Sequence, residues 1–169
     1  MTKRRAKRRK IDIFLTGIGG QGVLLASEII GQAGLSAGYD VKKSEVHGMS
    51  QRGGSVTSCV RLGRKVYSPL IERGTADILV ALNPEEGRRH IGYLRSGGFL
   101  LEAPQGTMER LKNRRTFNIA VLGMLSAHLD IPEKLWIEAI AASVPSKHLE
   151  DNKEAFFIGR ELGGGSHDL

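Results

Sequence analysis

Two clusters of residues have the types and spacing to do chemistry. The first is Gly17-Ile18-Gly19-Gly20-Gln21-Gly22, which meets the Gly-x-Gly-x-x-Gly spacing of dinucleotide-binding loops. Glycines let a backbone come close to an anion, and a helix that begins behind them offers free N–H groups and the positive end of its dipole. The second is Val46-His47-Gly48-Met49-Ser50-Gln51-Arg52-Gly53-Gly54. It is too rich in glycine for a core element, and it sets an imidazole, a hydroxyl, an amide and a guanidinium between His47 and Arg52. Loops of this kind on a rigid sheet usually carry function. The plain alternative is a solvated turn with Arg52 on the surface.

Other chemistries lack their residues. There is no Gly-x-x-x-x-Gly-Lys-Ser/Thr phosphate loop and no Gly-x-Ser-x-Gly nucleophile elbow, and His47, His90, His128, His148 and His167 are scattered rather than paired at metal spacing. No catalytic residue and no metal ligand is named. For residues 17–22 three readings stay open: a dinucleotide site, another phosphate or cofactor contact, or a tight structural turn. The first needs an acid at the end of the second strand, about 20 residues on. Asp40 falls at the start of that strand, and Glu45 is only a loose match.

The elements that must position these residues emerge from hydrophobic period. Ile11, Ile13 and Leu15 form a strand that stops at Gly17, and Leu25, Ile29 and Ala33 recur at helical spacing up to Gly34 or Gly38. Residues 39–46 read as a second, more polar strand. Val56, Ser58, Val60 and Leu62 alternate with Thr57, Cys59 and Arg61, and Gly63-Arg64-Lys65 would turn that strand into Val66-Tyr67-Ser68 as a hairpin. Residues 77–82 form a continuous apolar strand. Asn83-Pro84-Glu85-Glu86 then writes a helix start, with an N-cap, a proline at N1 and a capping-box glutamate at N3. Gly97-Gly98 is expected to end that helix before the strand Phe99-Leu100-Leu101, with further helices over 118–129, 132–143 and 150–162. The pattern implies an α/β fold of three layers, a mostly parallel sheet flanked by helices with an antiparallel β-hairpin.

Charge and composition narrow the function classes. The net charge of +7 belongs to residues 1–10: seven of the 25 basic residues sit there without an acid, and the remainder match the 18 acidic residues one for one. The domains expected are a basic disordered arm over 1–10, a folded domain over 11–162 and a flexible tail over 163–169. Such an arm is usually solvated and less often a contact to nucleic acid, and no aromatic residue interleaves with it. The 22 glycines, about twice the usual share, gather where turns are wanted. The single cysteine, Cys59, cannot hold an iron–sulfur cluster or a cysteine zinc site, and its apolar neighbours suggest a buried small hydrophobe. No apolar run approaches the ~20 residues of a membrane span, and no signal peptide is legible, so a cytoplasmic protein is expected.

The loop 17–22 with Gln21, the stretch Glu45-Val46-His47-Gly48-Met49-Ser50-Gln51-Arg52-Gly53-Gly54-Ser55-Val56, Val66-Tyr67-Ser68-Pro69-Leu70-Ile71 and Ala76-Asp77 together resemble the gamma-type subunit of 2-oxoacid:ferredoxin oxidoreductases. Gly-Met-Ser-Gln-Arg-Gly-Gly-Ser-Val resembles the indolepyruvate type in particular. The resemblance resumes at Phe117-Asn118, Leu122-Gly123, Asn152, Ala155, Phe156 and Gly159. It implies the small subunit of an enzyme that converts an arylpyruvate and CoA to an acyl-CoA while ferredoxin is reduced. Thiamine diphosphate and the iron–sulfur clusters are then carried by a large partner subunit, with no cofactor bound by this chain alone. Gly17, Gly19, Gly20, Gln21 and Gly22 are the candidate anion or cofactor contact. His47, Ser50, Gln51, Arg52, Gly53 and Gly54 are the candidate contact to the partner or the substrate site.

Two features depart from that pattern. The basic arm is foreign to it, and only a short connection lies between Phe99 and Asn118, where such subunits carry roughly 20 to 30 more residues against the usual economy of compact α/β loops. Arg52 gives a prediction already at this level. Its planar fork can grip a carboxylate or phosphate through two charge-assisted bonds, which a lysine cannot imitate. Arg52→Lys is expected to fold normally and to weaken complex formation or turnover by about 1–3 kcal/mol. Wild-type assembly and turnover in both Arg52→Lys and Arg52→Ala would return the residue to a surface turn.

Overall fold

The strand Ile11–Ile18 (β1) is buried along almost its whole length and hydrogen-bonded on both edges. In the computed structural model, which describes residues 9–47 and 53–164 and not the His47 side chain, β1 is the middle of a five-stranded sheet. The other strands are Asp40–His47 (β2), Ser55–Gly63 (β3), Ala76–Ala81 (β4) and Leu94–Glu102 (β5), in the order β2-β3-β1-β4-β5. β3 runs antiparallel to both β1 and β2, while β4 is parallel to both β1 and β5. The α/β architecture expected from the alternating elements is present. The sheet is evenly mixed, because β3 inserts between the first two strands.

Period-2 alternation divides β1 between two cores. Ile13 and Leu15 face a large one with Val60, Leu62, Ile78 and Val80, covered by the helices Val23–Ser36 (α1), Phe117–Ser126 (α3), Glu133–Ser143 (α4) and Leu149–Gly164 (α5). Phe14 faces a small one with Cys59, Ile71 and Leu79, beneath the short helix Pro84–Arg89 (α2) and the connection after β3. There Phe14 stacks on Tyr93 with ring centroids 4.1 Å apart. Each Leu or Ile fully buried contributes about 1.5–3 kcal/mol, so the larger core dominates stability.

Several sequence expectations are corrected. Val66-Tyr67-Ser68 is not a strand, and β3 forms its antiparallel pairs with β1 and β2 instead. Side chains hold that segment in place of a ladder. Asp40 Oδ2 accepts the Val66 N–H at 2.7 Å, which holds the Asp40 carboxyl below its ordinary pKa, and Arg61 Nη1 donates to the Ser68 and Leu70 carbonyls at 2.8 and 2.9 Å. Arg61 is itself fixed by the buried Asp12, at 2.9 Å. Gly97 and Gly98 do not end a helix, since α2 closes at Arg89 and both glycines lie inside β5. They form an irregularity where β5 crosses closely over β4, with a Cβ on Gly98 falling 2.9 Å from the carbonyls of Ala76 and Asp77. Arg9 and Lys10, assigned to the arm, have defined places, and Lys10 pairs with Asp12 at 3.1 Å. The last helix reaches Gly164, two residues into the expected tail. The rest of the arm (1–8) and tail (165–169) lies outside the described residues.

α3 and α5 approach until their backbones touch. Every residue of α3 from Asn118 to Ser126 is buried, as suits a helix apolar all round. A Cβ on Gly159 would stand 1.7 Å from the Ala120 carbonyl oxygen, and one on Gly123 would stand 2.0 Å from that of Phe156. On an exposed helix, Gly to Ala gains about 1 kcal/mol. Here the sign reverses: Gly159→Ala is expected to lose about 1–3 kcal/mol or more by forcing the helices apart, read as a lowered midpoint in urea unfolding.

Candidate functional site

The glycine loop sits where β1 leaves the sheet and α1 begins. Gly22 is the N-cap of α1 with φ 84°, a conformation that L side chains rarely adopt, and a Cβ there would fall 2.3 Å from Asn118 Nδ2. Asn118 Nδ2 donates to the Gly22 carbonyl at 3.2 Å, so α3 clasps the loop from behind. No side chain caps α1 and its first turn holds no acid. Its first N–H groups and dipole end are left to whatever approaches the loop.

Gln21 has a different place from the one its motif suggested. Its Oε1 accepts the Ile18 N–H at 2.8 Å and its Nε2 donates to the Leu82 carbonyl at 3.1 Å. The amide is turned inward, stapling the loop to the end of β1 and to the exit of β4, and so it shapes the loop. On the other side the Gly19 N–H donates to the Gly54 carbonyl at 2.9 Å. This brings together Gly19 and Gly54, members of the two clusters named from the sequence. His47 ends β2 opposite Val56, which is itself opposite Gly17, so β3 stands between His47 and the loop. Ser50, Gln51 and Arg52 lie outside the described residues.

Two hollows flank the loop. One of about 340 Å³ is apolar, lined by Ile18, Gly19, Gly20, Val23, Leu24 and Val56. The other, of about 300 Å³, mixes the apolar Leu25, Val144 and Pro145 with polar residues that run from Gln21 to Asn113, Arg115 and His148. No acidic side chain lines it. The carboxamides there are bonded within the chain, Gln21 to Leu82, Asn118 to Gly22 and Asn152 to His148, so the exposed Arg115 guanidinium and the N-terminus of α1 are what this hollow offers an anionic group. Arg115 and His148 were missed in the sequence because they lie on segments about 90 and 130 residues from the loop, with no local motif to mark them. The pKa of Glu28, lowered by the Lys43 ammonium bonded to it, belongs to the outer face of α1 and not to this site.

The dinucleotide reading fails on topology. Its ribose-reading acid must end a strand next to β1, whereas β2 lies two strands away, roughly 10 Å at the usual strand spacing. Asp40 sits at the far end of β2 and binds Val66, and Glu45 is level with Leu15 across β3, short of the loop. Among the described residues, no three His, Cys, Asp or Glu side chains gather as metal ligands, and no helix is long and apolar enough to cross a membrane.

Comparison with known proteins agrees with this geometry. A family profile described as pyruvate ferredoxin/flavodoxin oxidoreductase matches residues 12–106. Indolepyruvate oxidoreductase subunit IorB of Thermococcus kodakarensis is 34% identical over 191 residues, covering 89% of this chain and 95% of the relative. That alignment is longer than the chain, so the relative carries residues with no counterpart here. The keto/oxoacid ferredoxin oxidoreductase gamma subunit from Geobacter sulfurreducens superposes with a TM-score of 0.76 at 25% identity, over 90% of this chain and 98% of that one. The 2-oxoglutarate:ferredoxin oxidoreductase from Magnetococcus marinus shares the fold at a TM-score of 0.80 and 23% identity. There the match covers 93% of this chain and 31% of that one.

The staple gives a direct prediction. Gln21→Ala leaves the Ile18 N–H and the Leu82 carbonyl without their partner, and is expected to cost about 1–3 kcal/mol in chemical denaturation. Gln21→Glu keeps the acceptor for Ile18 but sets a carboxylate oxygen against the Leu82 carbonyl, and is expected to cost at least as much as the alanine variant.

Proposed function

This chain belongs to the pyruvate ferredoxin/flavodoxin oxidoreductase family, and from that premise we propose that it is the gamma-type small subunit of an indolepyruvate or arylpyruvate ferredoxin oxidoreductase. The observation that carries the reading is the match to subunit IorB over nearly the full length of both chains. In the assembled enzyme a 2-oxoacid loses carbon dioxide, its acyl group joins the CoA thiol, and the two electrons released pass to ferredoxin.

The residues present do not fit an iron–sulfur cluster, since Cys59 is the only cysteine and is buried in β3. Clusters and thiamine diphosphate belong in this reading to a large partner subunit. What this chain supplies is a preformed loop, an uncapped helix end and a hollow free of acidic side chains with Arg115 on its rim, which fit the carboxylate of the 2-oxoacid or the phosphates of CoA. Gly20 and Gly22 bring backbone to that group, while Gly17 is packed inside β1, Gly19 is tied to Gly54 and Gln21 holds the loop in shape. His47, Ser50, Gln51, Arg52, Gly53 and Gly54 are read as the contact to the large subunit or the completed active site. Residues 11–162 carry this role, with the basic arm an appendage, and the enzyme works in the cytoplasm.

Co-expression with the large thiamine-bearing subunit tests the reading. The pair is expected to co-purify and to reduce ferredoxin in a manner dependent on CoA and an arylpyruvate, while the isolated chain shows no turnover. Turnover by the chain alone, or a preference of the pair for 2-oxoglutarate over arylpyruvates, would overturn it.

A further inference from the structure

Glu86 stands where a capping-box glutamate would turn back to the N-cap N–H, yet its carboxylate goes elsewhere. Asn83 accepts from the Glu85 and Glu86 N–H groups and caps the helix by itself. The Glu86 side chain is only 5% exposed, with Oε1 2.9 Å from Arg89 Nη1 and Oε2 2.6 Å from the Ser55 hydroxyl that donates to it. His90 Nδ1 lies 3.6 Å from Oε2 and 3.1 Å from Thr16 Oγ1. A carboxylate buried this far keeps its place only where donors replace its hydration. Arg89 and His90 are within four residues of Glu86 along the chain. The Ser55 hydroxyl comes from another part of the chain, 31 residues away.

Ser55 opens β3 opposite Ile18, and its neighbour Gly54 accepts the Gly19 N–H at 2.9 Å. A continuous path therefore runs from α2 through Glu86, Ser55 and Gly54 to the glycine loop. We infer that Glu86 is a positioning residue for that loop: by fixing Ser55 it sets where Gly19 and Gly20 stand against the first turn of α1. An apolar side chain of similar volume would fill the core as well, so what the carboxylate adds is its polar ties, of which those to Arg89 and His90 stay local and the one to Ser55 reaches toward the loop. The inference rests on the proposed function for its activity readout, because the loop is the part of the subunit offered to an anionic substrate.

The test uses the full chain and its complex with the large subunit. Ser55→Ala removes the donor, and Glu86→Met keeps the volume and removes the acceptor. Both are expected to speed amide hydrogen exchange across residues 17–22 at least tenfold while α3 and α5 keep their protection. Ser55→Thr retains the hydroxyl and should restore wild-type exchange. In the complex the first two variants should raise KM at least fivefold for either the 2-oxoacid or CoA with kcat within twofold, and the substrate affected identifies which anion the loop faces. Unchanged exchange over 17–22, or protection lost equally along the chain, overturns the positioning role. Faster exchange with both KM values unmoved overturns its link to substrate. A wild-type complex without turnover counts against the proposed function and leaves the exchange result standing.

Discussion

The rest of the molecule depends on the hydrogen bonding of β1. A strand buried on both faces cannot leave backbone groups unpaired at either edge, since each orphaned N–H or carbonyl costs free energy comparable to a lost hydrogen bond. β3 satisfies one edge along the whole of β1, from Ile11 opposite Leu62 to Ile18 opposite Ser55, and β4 satisfies the other over Ile13–Thr16. Once β3 takes the first edge, β2 can only pair outside it. The glycine loop then opens at the end of a strand whose neighbours are β3 and β4. Gly54 at the entry to β3 and Leu82 at the exit of β4 are therefore the backbone groups within its reach.

The contacts that shape the loop are polar fasteners, and apart from the local bond between Gln21 and Ile18 they come from far along the chain. Gln21 ties the loop to Leu82, Asn118 clasps Gly22, Gly54 meets Gly19, and Glu86 holds Ser55. The opposite end of the sheet uses the same device, with Asp12 holding Arg61 and Arg61 holding the connection after β3. A satisfied polar bond adds modestly to stability, while a broken one leaves its buried partner stranded at a larger cost. Fasteners of this kind therefore fix one arrangement more than they deepen the energy well. A loop that must present backbone groups to an anion benefits from that rigidity, because preorganised donors need not be ordered when the ligand arrives.

Bulk stability resides elsewhere, in the larger core between the sheet and the four helices that cover it. Trp136 and Phe156 are fully buried there, and α3 meets α5 across glycines whose missing side chains let the backbones touch. This separates the sources of stability and of loop geometry. Packing on one face holds the domain together, and a handful of polar ties at the ends of β1, β3 and β4 shape the candidate site.

Local signals in the sequence were enough for the strand, glycine loop and helix at 11–36, for the start of α2 at Asn83, for the burial of Cys59 and for the α/β class. Each depends on residues close together in the chain, whose spacing and cap chemistry act before any tertiary contact forms. The same signals could not say that β3 would lie between β1 and β2, because an alternating strand pattern specifies a buried face and not a neighbour. Nor could they turn the Gln21 amide inward, send Glu86 to Ser55 in place of its own N-cap, draw Arg115 and His148 to the rim of the loop, or deny Val66-Tyr67-Ser68 a ladder. Those outcomes hang on which distant donor or acceptor is within reach once the sheet has assembled, and only the folded chain brings such groups to hydrogen-bonding distance.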